Sequence, residues 1–349
     1  MKKIILVAGA RPNFMKIAPI LRSIENHQDL NAILVHTGQH YDNNMSETFF
    51  SGLGIRKPDY YLDVGSGTHA VQTANIMVSF EKVCRLEMPD MVVVVGDVNS
   101  TIAAGLVAKK LHIKLAHVEA GLRSRDRQMP EEINRLATDA ISDIFFTTEP
   151  AGNQNLLAEG HPRESIYFVG HVMIDNLFYQ LGKIDDNDAV SPFVRSLKER
   201  LSLSIRYLCM TLHRPSNVDN KEVLTEILKT VNAVAKEIPI IFPCHPRTRR
   251  RIDEFGLKYL FHEIEATLNA EPCGVIMMDP LNYNDFLYLW KDCAAMMTDS
   301  GGLQEETTAL GVPCLTLRMN TERPVTVEDG TNVLIGNDMN RLKSEIRKA

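Results

Sequence analysis

Three acidic residues stand where a reaction centre needs groups that give and take protons. Asp97 and Glu119 each follow an apolar, strand-like run, Met91–Val95 and Leu115–Val118, and Glu131 begins a helical pattern. Carboxylates gathered at one site acquire separated pKa values, which suits one to act as an acid and another as a base. The three residues therefore predict general acid–base catalysis.

Each acid also has a purely structural interpretation. Asp97 could cap the helical segment Asn99–Leu111, and Glu131 could complement a helix dipole. Glu119 is harder to explain in this way, since a charge directly after a buried strand needs a partner. A shared position at the edge of one sheet is what favours a catalytic role for them.

A glycine turn predicts a phosphate site in the second half of the chain. The segment Ser300–Gly302 lies between the strand-like run Ala294–Thr298 and the helical segment Leu303–Leu310. Free N–H groups and the positive dipole end at a helix start attract phosphate, and glycines allow its close approach. Glu305 and Glu306 come soon after and suit ribose hydroxyls. The segment therefore fits a nucleotide, with an ordinary capped helix as the alternative.

Basic residues indicate how an anionic ligand would be held. Arg11 and Lys16 flank the start of the first helix, and His213 with Arg214 follows the strand-like run Tyr207–Thr211. His213 suits phosphate binding or protonation of a leaving group. Surface solvation is the alternative, and for Lys16 taken alone it is the favoured one.

Strand-like and helical patterns alternate along the whole chain and must position these residues. Fully apolar runs such as Met91–Val95 would be buried on both faces, as in a parallel sheet. Two successive βαβ series predict an α/β protein of two Rossmann-like, doubly wound domains, residues 1–180 and 181–349, separated near the polar segment Gly182–Asp188. Ligands bind beyond the carboxyl ends of such strands, so we expect the two domains to face each other across a cleft. The predicted strands are Ile4–Ala8, Ile33–Thr37, Met91–Val95, Leu115–Val118, Ile144–Thr147, Ile166–Val169, Tyr207–Thr211, Pro239–Phe242, Val275–Met278, Ala294–Thr298, Cys314–Leu317 and Asn332–Ile335.

Apolar residues at helical spacing predict the intervening helices. Pro19 is expected in the first turn of the first helix, where its missing N–H costs nothing. Pro130 is a favourable first residue for another helix. The two apolar stripes consist of Ile17, Ile20, Leu21 and Ile24, and of Ile133, Leu136, Ala137, Ala140 and Ile141.

Composition argues against several classes of partner. A formal net charge of -6 without a long basic run predicts neither a nucleic-acid nor a membrane partner. No apolar run is long enough to span a bilayer. Six cysteines without a CxxC pair fit free thiols in the cytoplasm. Metal-ligand motifs, a P-loop and a dinucleotide fingerprint are missing from the sequence, so we expect neither a metal nor NAD.

Ordered motifs along nearly the whole chain resemble the non-hydrolysing UDP-N-acetylglucosamine 2-epimerases, which share the two-domain GT-B fold of many glycosyltransferases. The matching motifs are Gly9-Ala10-Arg11-Pro12 with Lys16, Thr37-Gly38-Gln39-His40, Gly96-Asp97, His117-Val118-Glu119-Ala120-Gly121-Leu122-Arg123, Pro130-Glu131-Glu132 with Asn134-Arg135, Thr211-Leu212-His213-Arg214, Asp299-Ser300-Gly301-Gly302 with Gln304-Glu305-Glu306, and Thr321-Glu322-Arg323-Pro324.

The resemblance implies roles for individual residues. It implies that UDP-N-acetylglucosamine and UDP-N-acetylmannosamine are interconverted without metal or cofactor, usually by a homodimer, with a product that feeds surface polysaccharide synthesis. Near Gln39 and His40, bacterial relatives often bind a second substrate molecule as an activator. The implied catalytic residues are Asp97, Glu119, Glu131 and His213, and the implied substrate-binding residues are Arg11, Lys16, Arg214, Ser300, Gly301, Gly302, Glu306 and Arg323.

Other functions remain open from sequence alone. A hydrolysing epimerase would release UDP, and a related epimerase would act on a UDP-diacetamido sugar. A GT-B glycosyltransferase or a nucleotide-sugar binding protein belongs to a different functional class. The acidic set argues against both of the latter, since binding alone does not need repelling carboxylates beside a diphosphate.

Overall fold

The computed structural model describes residues 1–38, 47–185, 189–204, 206–263, 274–321 and 323–348 of the chain. These residues divide into two units, unit 1 (Met1–Phe178) and unit 2 (Tyr179–Ala349). Each unit contains one sheet of seven described strands, and every described strand pair is parallel. The α/β fold with two Rossmann-like sheets, predicted from the alternating patterns, is confirmed.

Unit 1 alternates strands and helices throughout. Its strand order is β3-β2-β1-β4-β5-β6-β7. The elements that begin in it are β1 (Lys2–Ala8), α1 (Arg11–Glu25), β2 (Leu30–His36), α2 (Glu47–Leu53), β3 (Tyr60–Tyr61), α3 (His69–Glu87), β4 (Met91–Val95), α4 (Asn99–Lys110), β5 (Lys114–Val118), α5 (Pro130–Ile141), β6 (Ile144–Thr147), α6 (Pro150–Ala158), a 3₁₀ turn (Arg163–Ser165), β7 (Ile166–Phe168) and α7 (Val172–Asp185).

Unit 2 repeats the alternation with shorter strands. Its strand order is β10-β11-β9-β8-β12-β13-β14. Its elements are α8 (Pro192–Ser204), β8 (Leu208–Thr211), α9 (Pro215–Val218), α10 (Lys221–Val234), β9 (Ile240–Pro243), α11 (Pro246–Glu254), a 3₁₀ turn (Lys258–Leu260), β10 (His262–Glu263), β11 (Val275–Met278), α12 (Tyr283–Trp290), β12 (Ala295–Thr298), α13 (Gly301–Leu310), β13 (Cys314–Thr316), α14 (Val325–Glu328), β14 (Asn332–Leu334) and α15 (Met339–Lys348).

Alternation along the strands of unit 1 builds a core on each face of its sheet. Leu6 of β1 packs in one cluster with Phe14 of α1, whereas its neighbour Ile5 packs in another with Phe80 of α3. Successive strand side chains point to opposite faces, so an apolar run such as Met91–Val95 requires a helical layer on both sides. All of the predicted strands are present, and two-residue edge strands, β3 and β10, were not predicted.

Two helical predictions were wrong in detail. The first helix begins at Arg11, with Pro12 near its start, so Pro19 lies inside it and not in the first turn. Burial of neighbouring side chains such as Leu21 compensates for the hydrogen bond that Pro19 cannot donate. The predicted polar linker near Gly182 is helical through Asp185, and residues 186–188 lie outside the described part of the chain.

The most deeply buried face of α5 is not its apolar stripe, although Ile141 of that stripe packs against the core. Ile133 is 48% exposed, and the buried positions are polar or charged: Glu132, Arg135, Thr138 and Asp139. Charged side chains are buried only when paired, so this face must meet partners from the rest of unit 1.

The strand orders mark one switch point in each sheet. In unit 1 the chain leaves β1 toward β2 on one side and reaches β4 on the other, and in unit 2 the same relation holds for β8 and β12. Loops that follow the two strands at a switch point diverge and leave a crevice for a ligand. The predicted residues Asp97, His213 and Ser300 all lie in such loops.

Candidate active site

The ends of β4 and β5 bring two predicted catalytic residues to one edge of unit 1. Val95 pairs with Val118 in register, so the Gly96-Asp97 turn and Glu119 leave the sheet side by side. Gly96 has a φ of +67°, and a Cβ placed on it would lie 3.2 Å from Lys16 Nζ. Glycine is required here because the backbone is left-handed and the lysine passes close to it.

Glu119 is a buried carboxylate with a basic side chain near each oxygen. It is only 3% exposed and has a φ of +68°. Lys16 of α1 forms an ion pair with Oε2, and His171 Nε2 lies 3.5 Å from Oε1. His171 Nδ1 accepts the N–H of Met173 at 3.2 Å, so the hydrogen of a neutral ring sits on the nitrogen that faces Glu119. The partner that this charge was expected to need is therefore present.

Asp97 is held by a neighbouring arginine. Arg135 of α5 donates to Asp97 Oδ2 from Nε at 3.0 Å and from Nη2 at 2.6 Å, and its Nη1 donates to Glu132 at 2.8 Å. Burial alone would lower the pKa of Arg135, but the two carboxylates outweigh it and raise that pKa. Val98 is the residue that precedes α4, so Asp97 is not its cap.

A network of buried charged side chains lies next to the Gly96-Asp97 turn. His117 of β5 is fully buried between Asp139 and the Gly96 carbonyl oxygen. Asp139 also accepts the Gly121 N–H at 3.0 Å and pairs with Arg123 at 2.8 Å. Burial alone would raise the pKa of Asp139, but His117 and Arg123 outweigh it and lower that pKa.

Two predicted site residues of unit 1, Glu131 and Arg11, do not take part in the contacts described above. Glu131 is exposed in the first turn of α5. Arg11 is the first residue of α1, and its side chain lies outside the described part of the structure. Gln39 and His40, matched to the activator region, also lie outside it.

The switch point of unit 2 is organised around Asp299. This carboxylate is fully buried, lies 2.9 Å from His213 Nδ1 and accepts the backbone N–H of Arg214 at 2.9 Å. Asn217 donates to it at 3.1 Å. Burial alone would raise the pKa of Asp299, but the His213 and Arg214 hydrogen bonds and the His213 charge outweigh it and lower that pKa. The His213 ring is thereby held by one nitrogen, and the residue is part-exposed.

The glycine turn (Ser300–Gly302) occupies the start of α13. Ser300 precedes the helix without a side-chain cap, which leaves first-turn N–H groups unused by capping. Arg318 Nη1 lies 3.9 Å from the position of a Cβ on Gly301. Gln304 donates to the Ser300 carbonyl at 3.1 Å and accepts from Thr321 at 2.6 Å. A helix dipole and a guanidinium thus converge on the turn, as an anion site requires.

The two acids after the glycine turn have different partners. Glu306 is buried and accepts the Tyr283 hydroxyl hydrogen at 2.7 Å. Burial and the Glu306 carboxylate raise the pKa of Tyr283, so its hydroxyl remains a donor. Glu305 pairs with Arg323 Nε at 3.0 Å. The capped-helix alternative therefore does not describe these acids fully, since each is fixed by a side chain from elsewhere in unit 2.

Sequence reasoning missed the residues that hold the predicted ones. Glu132, Arg135 and Asp139 recur at helical spacing on α5, and this charged stripe opposite the apolar one was a usable signal. His171 and Tyr283 carry no local signal, because each acts through a residue far away in the chain. Among the described residues, no group of three or more His, Cys, Asp or Glu side chains could hold a metal ion. None of the described helices is long and apolar enough to cross a membrane.

The two units together define a class of protein. In unit 1, Asp97 follows β4 at the switch point and the buried Glu119 follows the adjacent strand, and in unit 2 a glycine turn follows β12 at the switch point, features that suit a nucleotide-linked substrate. Comparison with known proteins identifies the family, since the profile of the UDP-N-acetylglucosamine 2-epimerases matches residues 22–349. The chain belongs to this family of isomerases.

Individual relatives agree with this assignment. A UDP-N-acetylglucosamine 2-epimerase of Methanococcus maripaludis is 41% identical over all of this chain and 92% of its own length. A UDP-2,3-diacetamido-2,3-dideoxy-D-glucuronate 2-epimerase of Pseudomonas aeruginosa is also 41% identical, over 96% of this chain and 88% of its own. The crystal structure of the Methanocaldococcus jannaschii UDP-GlcNAc 2-epimerase in complex with UDP-GlcNAc and UDP is 41% identical, with a TM-score of 0.80 over 100% of this chain and 92% of that one. The expected GT-B-like fold is confirmed.

Proposed function

We propose that this protein interconverts UDP-N-acetylglucosamine and UDP-N-acetylmannosamine without hydrolysing either. The observation that carries the proposal is the pair Asp97 and Glu119, which leave adjacent strands and are held by different cations, Arg135 and Lys16. Two carboxylates in unlike surroundings suit separate acid and base roles. The Methanocaldococcus jannaschii relative, crystallised with UDP-GlcNAc and UDP, supports the substrate class.

The proposed chemistry proceeds by elimination and re-addition. A base takes the proton from C2, the C2–H electron pair forms a C1=C2 double bond, and the C1–O bond breaks. Its electrons leave with UDP, and a 2-acetamidoglucal remains. A proton then reaches C2 from the opposite face while the UDP oxygen returns to C1, so no oxidant or reductant is needed. Glu131, exposed in the first turn of α5, is proposed as the third acid–base group.

Unit 2 is proposed to hold UDP and unit 1 to perform the proton transfers. The charges of these residues fit the proposed roles. The glycine turn, Arg214 and Arg323 suit a diphosphate, and Glu306 suits ribose hydroxyls. His213 is proposed to protonate or bind the leaving diphosphate, and Arg11 and Lys16 to balance its charge. The proposal requires residues 1–180 and 181–349 to face each other across a cleft.

The identity of the sugar has a second candidate. The Pseudomonas aeruginosa UDP-2,3-diacetamido-2,3-dideoxy-D-glucuronate 2-epimerase is as similar in sequence as the Methanococcus maripaludis enzyme. Both reactions invert C2 of a UDP-sugar, so the same acid–base groups serve either. The two substrates differ at C3 and C6, and each is offered separately in the assay below.

The deciding experiment follows hydrogen exchange at C2. The protein is incubated in deuterated water with UDP-N-acetylglucosamine or, in a separate sample, with the UDP-diacetamido uronate, in each case without an acceptor, and the sugar is monitored by NMR. We expect the manno isomer to form with deuterium at C2 and without a cofactor. Free N-acetylmannosamine with UDP would identify a hydrolysing epimerase. Unchanged substrate from both UDP-sugars would refute epimerisation and favour a transferase or a binding protein.

We expect Glu306→Gln to weaken UDP binding, because a charged acceptor would be lost at the proposed ribose site. Hydrogen bonds to charged groups contribute about 1.5–3 kcal/mol, which predicts a loss of affinity of roughly 10- to 100-fold. Isothermal titration with UDP measures it. Glu226→Gln, an exposed carboxylate on α10, is the matched control. Equal UDP affinity in the wild type and Glu306→Gln would remove Glu306 from the ribose site.

A homodimer is proposed on the basis of exposed apolar side chains on unit 1. Val71 and Val78 of α3 are 53% and 60% exposed, and Ile133 of α5, 48% exposed, lines a depression shared by α3, α4 and α5. Exposed apolar surface of this kind marks association sites. Light scattering that returned only the 39.2 kDa mass of one chain would contradict this proposal.

The proposed setting is the cytoplasm, where UDP-sugars for surface polysaccharide would be made. The five cysteines within the described ranges are all buried free thiols, which suits a reducing compartment. Cell fractionation tests this location, and recovery outside the cytoplasm would contradict it.

A further inference from the structure

His117 has two hydrogen-bond partners that can only accept. Its Nδ1 lies 2.6 Å from Asp139 Oδ1, and its Nε2 lies 2.8 Å from the Gly96 carbonyl oxygen. Both His117 and Asp139 are fully buried. A neutral imidazole carries one N–H and cannot donate to both partners, whereas an imidazolium can.

Asp139 is bound as an ionised carboxylate. Its Oδ2 accepts the Gly121 N–H at 3.0 Å and pairs with Arg123 Nη2 at 2.8 Å. Arg123 is in turn paired with Glu159 at 2.6 Å. Two cations and two carboxylates therefore balance in this network, and a buried imidazolium is compensated there.

Both backbone groups of Gly96, its N–H and its carbonyl, form hydrogen bonds with residues of β5. Its N–H donates to the Val118 carbonyl at 3.0 Å, and its carbonyl accepts from His117. Asp97 follows it directly, and Glu119 follows Val118, so these bonds contribute to the spacing of the two carboxylates. Loss of the His117 bond would leave this left-handed turn with one hydrogen bond to β5 in place of two.

We infer that His117 is a positioning residue of the epimerisation, which holds the Gly96 turn as an imidazolium and so sets Asp97 beside Glu119. The inference rests on the proposed function. It assigns a task to the buried charged face of α5, since Asp139 supplies the counter-charge that keeps the ring doubly protonated. Small displacements of catalytic groups are costly, and a misplacement of about 1 Å lowers rates by roughly 10²-fold.

The pH dependence follows from the groups that face His117. Asp139 faces it from α5, Arg123 approaches through Asp139, and Glu119 and Lys16 lie on the Gly96 side. Burial alone would lower the pKa of His117, but the Asp139 charge, both hydrogen bonds and Glu119 outweigh it and raise that pKa. The contribution to stability is thus complete below the ordinary pKa of about 6.5 and is lost as pH rises through the folded-state pKa.

The test combines protonation, kinetics and a conservative variant. In the wild type, ¹⁵N NMR of His117 at pH 7 should show protons on both ring nitrogens. His117→Ala should lower kcat for C2 exchange roughly 10- to 100-fold with little change in KM or UDP affinity. His117→Gln keeps one donor for the Gly96 carbonyl and should recover most of kcat. Asp139→Asn should move the alkaline limb of kcat to lower pH.

Several results would overturn the inference. A neutral His117 ring at pH 7 removes its premise, even if every variant fails to fold. Folded His117→Ala with wild-type kcat, or a Gln variant no better than Ala, removes the positioning role. His27→Gln, an exposed histidine after α1, is the control. Absence of C2 exchange in the wild type would instead refute the proposed function. The ¹⁵N NMR measurement of the His117 ring does not depend on turnover, so the two failures can be told apart.

Discussion

Replacing Asp97 by Asn is expected to lower kcat for C2 epimerisation by roughly 10²- to 10⁴-fold, the usual contribution of a general acid or base. The amide has the shape of the carboxylate, and its oxygen can accept both hydrogen bonds that Arg135 donates to Oδ2, so the Gly96 turn should persist. It cannot take or release a proton at neutral pH. UDP affinity should change little, because the proposed UDP site lies in unit 2.

Single-turnover C2 exchange and UDP titration on the same preparation separate the two effects. Asp175→Asn, an exposed carboxylate on α7, is the matched control and should behave as the wild type. Glu131→Gln should show the same separation if its exposed carboxylate is the third acid–base group. Lost UDP binding with residual turnover per bound enzyme would remove both residues from acid–base roles.

Replacing Gly121 by Ala is expected to destabilise unit 1 by about 4 kcal/mol or more, a magnitude that marks severe steric conflict. Gly121 has a φ of +78°, and a Cβ on it would collide with the Gly152 carbonyl oxygen and lie 2.8 Å from the Gly152 Cα. The obstacle is backbone at α6, which cannot rotate away as a flexible side chain could. Displacement of this loop would also break the Gly121 N–H bond to Asp139.

Gly160→Ala separates backbone strain from collision. Gly160 also has a left-handed φ, +91°, but a Cβ on it meets no heavy atom within 4 Å. The Gly160→Ala substitution should lower the free energy of unfolding only by the backbone strain of a left-handed alanine, about 1–2 kcal/mol. Amide hydrogen exchange in β4 and β5 measures unit 1 directly, whereas Trp290 fluorescence reports unit 2. Similar protection in the two variants would show that the loop accommodates the methyl group.

The strands were predictable because their signal is local. Met91–Val95 is apolar at every position, and such a run can only be a buried parallel strand or a short buried helix. The placement of Asp97 and Glu119 at one edge followed from the strands, since carboxyl ends of parallel strands meet. Errors arose where tertiary packing outweighs local preference, as at Pro19, which lies inside a helix whose neighbours are buried.

The amino-acid sequence by itself determined the α/β class, the order of its strands and helices along the chain, and which residue types follow each strand. Hydrophobic periodicity and ordered motifs carry that information, because they depend on neighbours in the chain. Only the tertiary structure decided which charges meet: Lys16 with Glu119, Arg135 with Asp97, and His117 with Asp139. These pairs join residues distant in sequence, and their energies depend on burial and geometry that no local pattern records.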